Sequence, residues 1–322
     1  MKMWLRLALL FVSSLFCVAA ATAQGFPSKP VRIVVPFPPG GTADVLARLV
    51  GQKMSDALGQ QVLIENRPGG GTVIGTEVVA RAPADGHTML LMANSFTINP
   101  AVHAKLPYDP LKDFAPVTML VKSPQVLVVN PSLPVKSLAE FGALVKSQPG
   151  KYSLATVGPA TTQHIASELL KSVMKLQMIY VPYPGGAPAA AALAGGHVDA
   201  VLANYSEVAQ HVLSGKARAI AVTSLERTDT LKDVPTVSES GFPGFEATAW
   251  FGLVVTGGSP PAAVARLNAE ANKALKLPDV REKLIAQGMY PVGTTPGEFD
   301  AHIRSEMAKY GKVIKESGIK VE

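Results

Sequence analysis

The sequence predicts an α/β protein with a mainly parallel sheet in two domains, and three observations carry that prediction. From Pro30 onward, short β-branched runs alternate with segments of helical periodicity, the signature of βαβ units. The 322 residues are 48% hydrophobic and only 17% charged, enough to bury two cores. One arrangement, a strand followed by a glycine/proline turn and a threonine-opened helix, occurs around Pro36 to Asp44 and again around Val157 to His164.

The first segment reads as a leader. Lys2 and Arg6 precede the apolar run Leu7 to Ala20, and Ala21-Thr22-Ala23 has the small residues of a cleavage site. A secretory signal peptide over residues 1–23, cut after Ala23, is expected. The only cysteine, Cys17, follows Phe16, whereas a lipoprotein signal wants a small residue there. The mature chain therefore has no thiol, which suits a bacterial periplasm. Removing Lys2 and Arg6 leaves 28 basic against 24 acidic residues, a scattered net charge of about +4. Without a basic run interleaved with aromatics, no nucleic-acid partner is expected.

Strand one spans about Val31 to Val35. Pro36-Phe37-Pro38-Pro39-Gly40-Gly41 then leads into a helix opening at Thr42, whose apolar residues from Val45 to Leu58 recur at helical spacing up to Gly59. Val62 to Glu65 is the next strand, Gly69-Gly70-Gly71 a second turn, and Val73 to Ala82 a helix. Thr88 to Met92 is strand three, with the polar residues Asn94, Ser95, Thr97 and Asn99 gathered at its end. Val117 to Val121 and Val126 to Val129 follow as two strands, with the crossing into the second domain after Ser123-Pro124.

In the second domain Ser137-Leu138-Ala139-Glu140 is a capping box. Tyr152 to Val157 is a strand, and a helix begins at Thr161-Thr162. Met178 to Val181, Val198 to Ala203 and Ala217 to Thr223 complete a second sheet. Trp250 to Val255 returns to the first domain, followed by helices from Pro261 to Leu277, to Gly288, and from the capping box Thr295-Pro296-Gly297-Glu298.

Function is suggested by the repeated strand–turn–helix unit. A helix start carries unpaired N–H groups and partial positive charge, and small anions bind there. If the two domains share a cleft, both helix starts can face one ligand, and neither turn contains lysine or arginine. Taken singly, Gly40 and Gly41 could serve only backbone geometry, and Thr42 and Thr161 only capping. The matched pair favours binding. Asp44, in the first helical turn, is read as a dipole partner rather than a ligand contact. His164 could donate to a carboxylate or simply pack; Tyr183 and Trp250 could line the cleft or belong to the core.

Several functions lack their motifs. No phosphate loop, no Gly-x-Ser-x-Gly elbow and no complete dinucleotide fingerprint occurs, and the six histidines show no two-histidine metal spacing. No cofactor, metal or catalytic residue is expected.

An ordered set of short motifs runs through the whole mature chain: Pro27-x-Lys29-Pro30-Val31, the Val35 to Gly41 segment with Asp44 and Arg48, Glu65-Asn66-Arg67-Pro68-Gly69, Asp85-Gly86, Tyr108-Asp109-Pro110, Gln163-His164, Val181-Pro182-Tyr183, and Pro235-Thr236 with Glu239 and Gly241. In these the chain resembles the Bug-type solute-binding proteins of the tripartite tricarboxylate transporters. The resemblance implies a type II periplasmic-binding-protein, Venus-flytrap fold: two βαβ lobes, residues 24–124 plus 246–322 and residues 125–245, around a hinge cleft. It implies a receptor that closes on a small organic carboxylate and delivers it to membrane permease subunits, with Phe37, Pro39, Gly40, Gly41, Thr42, Ser95, Thr97, Thr161, Thr162, His164, Tyr183 and Asn204 as ligand-binding residues. The chain departs from the family at Ala160 and Thr161, where a glycine and a serine often stand.

Three hypotheses follow: a monomeric periplasmic receptor serving a permease, a sensor presenting its bound acid to a kinase, and an enzyme acting on an acid. The last needs a positioned nucleophile or base, and the sequence offers no convincing pair.

Overall fold

The computed structural model describes residues 25–158 and 161–317. The segment read as a leader lies outside the described residues, as do Pro159 and Ala160 of the second turn.

The chain forms two α/β lobes that share one strand. In the first, β1 (Val31–Val35) leads to α1 (Thr42–Leu58), β2 (Val62–Asn66), α2 (Val73–Ala80), β3 (Thr88–Ala93) and α3 (Ser95–Val102). The 16-residue β4 (Phe114–Val129) then runs out of this lobe into the second. There follow α4 (Leu138–Ser147), β5 (Ser153–Thr156), α5 (Thr162–Met174), β6 (Ile179–Pro182), α6 (Gly186–Ala194), β7 (Ala200–Asn204), α7 (Tyr205–Leu213) and β8 (Arg218–Val222). β9 (Thr248–Thr256) brings the chain back, and α8 (Pro261–Lys276), α9 (Pro278–Ala286), β10 (Tyr290–Pro291) and α10 (Pro296–Ser317) complete the first lobe.

The two sheets are built alike. β2-β1-β3 and β6-β5-β7 are parallel triads, each made by βαβ units of the kind the alternation predicts. Against each triad lies an antiparallel strand, β9 on β3 and β4 on β7. The sheets are therefore mixed rather than mainly parallel, because β4 and β9 enter from the opposite lobe. β4 is also one strand where the sequence suggested two. Its first part pairs with β9 as far as Pro124 opposite Thr248, and from Gln125 opposite Asn204 it pairs with β7. Proline, lacking an N–H, normally interrupts a strand. Here Pro124 sits where β4 changes partners, and Pro116 beside a register shift, so neither breaks a regular ladder.

Alternating residues of β4 feed opposite faces of the second sheet. Leu127 and Val129 pack with Phe141, Leu170 and Leu202, while Val126 and Val128 pack with Leu193, Val201 and Val208. In the first lobe Leu46, Val50 and Met54 of α1 cover one face with Leu267; Phe96, Trp250 and Phe299 cover the other. A smaller cluster joins the lobes: Ile98 of α3 and Tyr310 of α10 against Ile165 of α5.

α3 was not expected. The polar run Asn94 to Asn99 reads only as polar side chains gathered at the end of strand three, yet Asn94 carbonyl oxygen accepts from the N–H groups of Thr97 and Ile98, and Asn99 is fully buried with its amide donating to Gly71 O and Thr72 Oγ1. Buried acceptors, invisible in the sequence, take the Asn99 amide protons and let the helix form, although Asn99 Oδ1 is left without a partner in the protein.

Candidate functional site: an interlobe cavity walled by helix N-termini

In a parallel α/β sheet every strand delivers its chain, at its carboxyl end, to the start of a helix. Both lobes turn that edge toward the same cleft. The N-caps of five helices consequently border one cavity: Gly41 for α1, Asn94 for α3, Thr161 for α5, Gly185 for α6 and Asn204 for α7. Four of these N-caps line it directly, and α3 does so through Ser95, its first residue. The cleft holds about 560 Å³ of space unfilled by protein atoms, part of it open to solvent. Among the described residues, its wall contains no lysine, arginine or histidine, and Glu207 is its one ionisable side chain.

The first-lobe wall is a rigid loop braced from behind. Gly40 takes φ +82°, which a side chain would resist, and its N–H donates to Asp44 Oδ2 at 3.0 Å. Asp44 is buried and also accepts from Arg48 Nε at 3.0 Å and Asn66 Nδ2 at 3.0 Å, while Asn66 holds Phe37 O. Burial by itself would raise the Asp44 carboxyl, but the bonds from Arg48, Gly40 and Asn66 outweigh it and hold the carboxyl below its ordinary value. The acid thus faces away from the cavity and fixes the loop, as its dipole-side reading implied. Gly41 offers no side-chain cap, so the Thr42 hydroxyl is free to cross the cleft to Ser206 Oγ at 2.7 Å.

The second-lobe wall is built from Thr161, Thr162, Gln163, Gly185, Gly186, Asn204 and Glu207. The Thr161 hydroxyl caps α5, accepting from the His164 N–H at 3.2 Å and donating to Gly158 O at 2.9 Å. Glu207 Oε2 accepts from Asn204 N at 3.1 Å and from Gln163 Nε2 at 2.8 Å. Burial pushes the Glu207 carboxyl above its ordinary value, against the lowering effect of its Asn204 and Thr42 donors. A Cβ on Gly186 would fall 2.1 Å from that carboxyl, so glycine there makes room for it. Where β4 changes sheets, Gln125 reaches the same cavity fully buried, with both Oε1 and Nε2 lacking a partner in the protein.

Of the expected ligand-binding residues, the structure brings Phe37, Pro39, Gly41, Thr42, Ser95, Thr161, Thr162 and Asn204 to this wall. It does not bring Gly40, Thr97, His164 or Tyr183. Gly40 is turned to Asp44. Thr97 is fully buried and donates to Asn94 O at 2.8 Å, a bond local to α3. His164 points into the lobe, its Nδ1 2.8 Å from Thr156 Oγ1 and its ring against Tyr180; burial lowers its pKa. Tyr183 packs beside the Ala189, Leu193 and Val208 cluster. Trp250, left between cleft and core, is core, its Nε1 donating to Glu306 at 3.0 Å. Sequence reading missed Gly185, Gly186, Gln125, Gln163 and Glu207. For Glu207 a signal existed: an asparagine followed three residues later by glutamate is a helix-start pattern. A capping acid normally lies on the surface, so the pattern by itself marks a helix start and not a cavity wall.

The chain matches the family model described as the tripartite tricarboxylate transporter family receptor, TctC, over residues 46–319. It is 36% identical over 315 residues to Protein BugT of Bordetella pertussis, covering 97% of each chain. It superposes on R. palustris Rpa4515, solved with adipate, with a TM-score of 0.88 and 34% identity, covering 91% of this chain and 99% of that one. MatC of Rhodopseudomonas palustris, solved with bound malate, gives a TM-score of 0.85 and 34% identity over 90% of this chain and 100% of that one.

Proposed function

This chain belongs to the tripartite tricarboxylate transporter receptor family, and from that premise we propose that it is a monomeric periplasmic receptor that closes on a small organic carboxylate and hands it to the membrane permease subunits of such a transporter. The observation that carries the reading is the convergence of five helix N-termini from two lobes on one cavity whose described wall has no fixed cation. Neutral N–H donors stabilise an anion without the desolvation cost of burying a lysine or arginine. That relatives hold adipate and malate supports the same ligand class.

The leader directs export and is removed by cleavage after Ala23. The moving bodies are residues 24–124 plus 246–322 and residues 125–245, hinged where β4 and β9 cross. Phe37, Pro39, Gly41, Thr42, Ser95, Thr161, Thr162 and Asn204 form the binding wall. Closure brings the two donor sets to one ligand, so affinity and lobe movement are linked. Native mass spectrometry of the purified mature protein, with release and identification of any retained small molecule, should find an acid. A thermal-shift set of acids and their neutral amides should favour the acids; equal shifts would refute the anion site. Loss of uptake in cells lacking the chain but expressing the permease separates delivery from sensing.

A further inference from the structure

We propose that Glu207 is an interlobe positioning residue: rooted in α7 of the second lobe, it caps the open start of α1 in the first and holds the cleft shut through protein atoms alone. The inference rests on the proposed movement of the lobes, not on which acid they hold.

Three observations carry it. First, α1 has no side-chain cap of its own, because its N-cap is Gly41. Second, the Glu207 carboxyl reaches that start from the other lobe. Its Oε1 lies 3.8 Å from where a Gly41 Cβ would stand, and Thr42, the first residue of α1, meets the carboxyl with both its N–H and its hydroxyl. The Thr42 hydroxyl also touches Ser206 Oγ of α7 at 2.7 Å. Third, the two glycines that open α6 both make room for this contact. A Cβ on Gly185 would fall 3.1 Å from Pro38 Cγ of the first-lobe loop, and one on Gly186 would fall 2.1 Å from the Glu207 carboxyl.

Within its own lobe the acid is firmly rooted. Oε2 accepts from Asn204 N at 3.1 Å and from Gln163 Nε2 at 2.8 Å, which fills both lone pairs of a carbonyl oxygen. Burial favours the neutral carboxyl, and the neutral form suits this place. Its proton then sits on Oε1, which can accept the Thr42 N–H and donate to the Thr42 hydroxyl. No other ionisable side chain belongs to the described wall: Asp44 of α1 is turned to Gly40, Arg48 and Asn66, and His164 of α5 to Thr156. The clasp therefore works without charge. Opening the cleft uncaps α1, so the clasp biases the lobes toward the closed arrangement before any ligand adds its own contacts.

The test reads lobe separation directly. The only cysteine, Cys17, lies in the leader, so Gln52→Cys on α1 and Gln210→Cys on α7, both exposed, can carry the only spin labels on the mature protein. After ligand is stripped by unfolding, dialysis and refolding, pulsed electron paramagnetic resonance should find mainly the short, closed distance. Glu207→Ala should lower the closed-to-open ratio about tenfold or more. Glu207→Gln keeps one acceptor oxygen and one donor, as a neutral carboxyl does, and should stay within about threefold of wild type. Gly186→Ala, whose methyl displaces the carboxyl without removing it, should open the cleft as well. A double-mutant cycle separates the clasp from the cap that Glu207 gives α7. Combined with Thr42→Val, Glu207→Ala should open the cleft about threefold less than the two single effects multiplied, whereas a role confined to α7 gives independent effects. Independent effects, Glu207→Gln opening as far as Glu207→Ala, or Gly186→Ala as closed as wild type would each overturn the inference. If Glu207→Ala does not fold, the wild-type and Gly186→Ala distances still decide. A stripped wild type that is mainly open and shortens with an acid sinks the clasp but leaves the receptor standing. One unchanged distance in every protein, with and without acids that stabilise it, removes the hinged-lobe reading too.

Discussion

The two walls of the cavity do the same task with different economies. The first-lobe wall is a stiff Pro-Pro-Gly-Gly loop whose charged groups, Asp44 and Arg48, lie behind it and pair with each other. The second-lobe wall is assembled from three separate helix starts and carries Glu207 on its inner surface. The first keeps all charge out of the cavity and offers only backbone donors and a hydroxyl. The second brings a carboxyl in. What the difference teaches is that the same strand-end edge can be built in two ways: a loop braced from outside the cavity, and a wall that buries a carboxyl inside it.

The most damaging way to break the contrast is to remove the brace. Asp44→Ala deletes the acceptor for Gly40, Arg48 and Asn66, and should cost about 2–3 kcal/mol in chemical denaturation, the value of hydrogen bonds to a buried charged group, with the exposed Arg48 ion pair adding little. The same group sets an acid limit. Its folded-state carboxyl lies below the unfolded value near 3.9, so its contribution is full above that pH and is lost as pH falls through the folded value. Melting curves below about pH 4 should show the wild type losing this increment, whereas Asp44→Asn should show a smaller acid response, the remainder coming from other carboxyls held low, such as Glu65 and Asp85. An acid response equal in both would remove Asp44 from the account.

Thr161→Val tests the second wall's internal order. It removes the α5 cap and should cost about 1 kcal/mol in urea unfolding. Thr42→Val tests the contact between the walls. Losing the bond to Ser206 should weaken ligand affinity roughly 2- to 10-fold, from a net 0.5–1.5 kcal/mol, with little change in global stability. If affinity is unmoved, the bridge plays no part in closure. The smallest effect belongs to His164→Asn. Its ring bonds Thr156 inside the lobe, so ligand affinity should stay within about threefold of wild type even if stability falls.

Much of the fold was legible because its signals are local. The strand–helix alternation, the glycine closing α1 (Gly59) and the two capping boxes depend only on neighbours in the chain. So do eight of the wall residues, since they sit in turns at strand ends, where an α/β sheet presents its ligands. The misses have a common cause. Thr97 and His164 stand at the same kind of strand end, and only their orientation within a helical turn sends them inward to Asn94 O and Thr156. Gln125 and Glu207 look like strand and cap residues until β4 changes partners and α7 is aimed at the cleft.

By itself the sequence determined that this chain would be two α/β halves with unpaired helix starts at their strand ends, because hydrophobic period and turn chemistry act over a few residues. Only the tertiary structure decided which side chains those starts share. The donors of Gly41, Thr161, Gly185 and Asn204 come from distant parts of the chain, and they converge because β4 runs from one sheet into the other and β9 returns the chain, turning both carboxyl edges inward. Whether a polar side chain then meets a ligand or a neighbouring carbonyl depends on direction, and direction is fixed by packing.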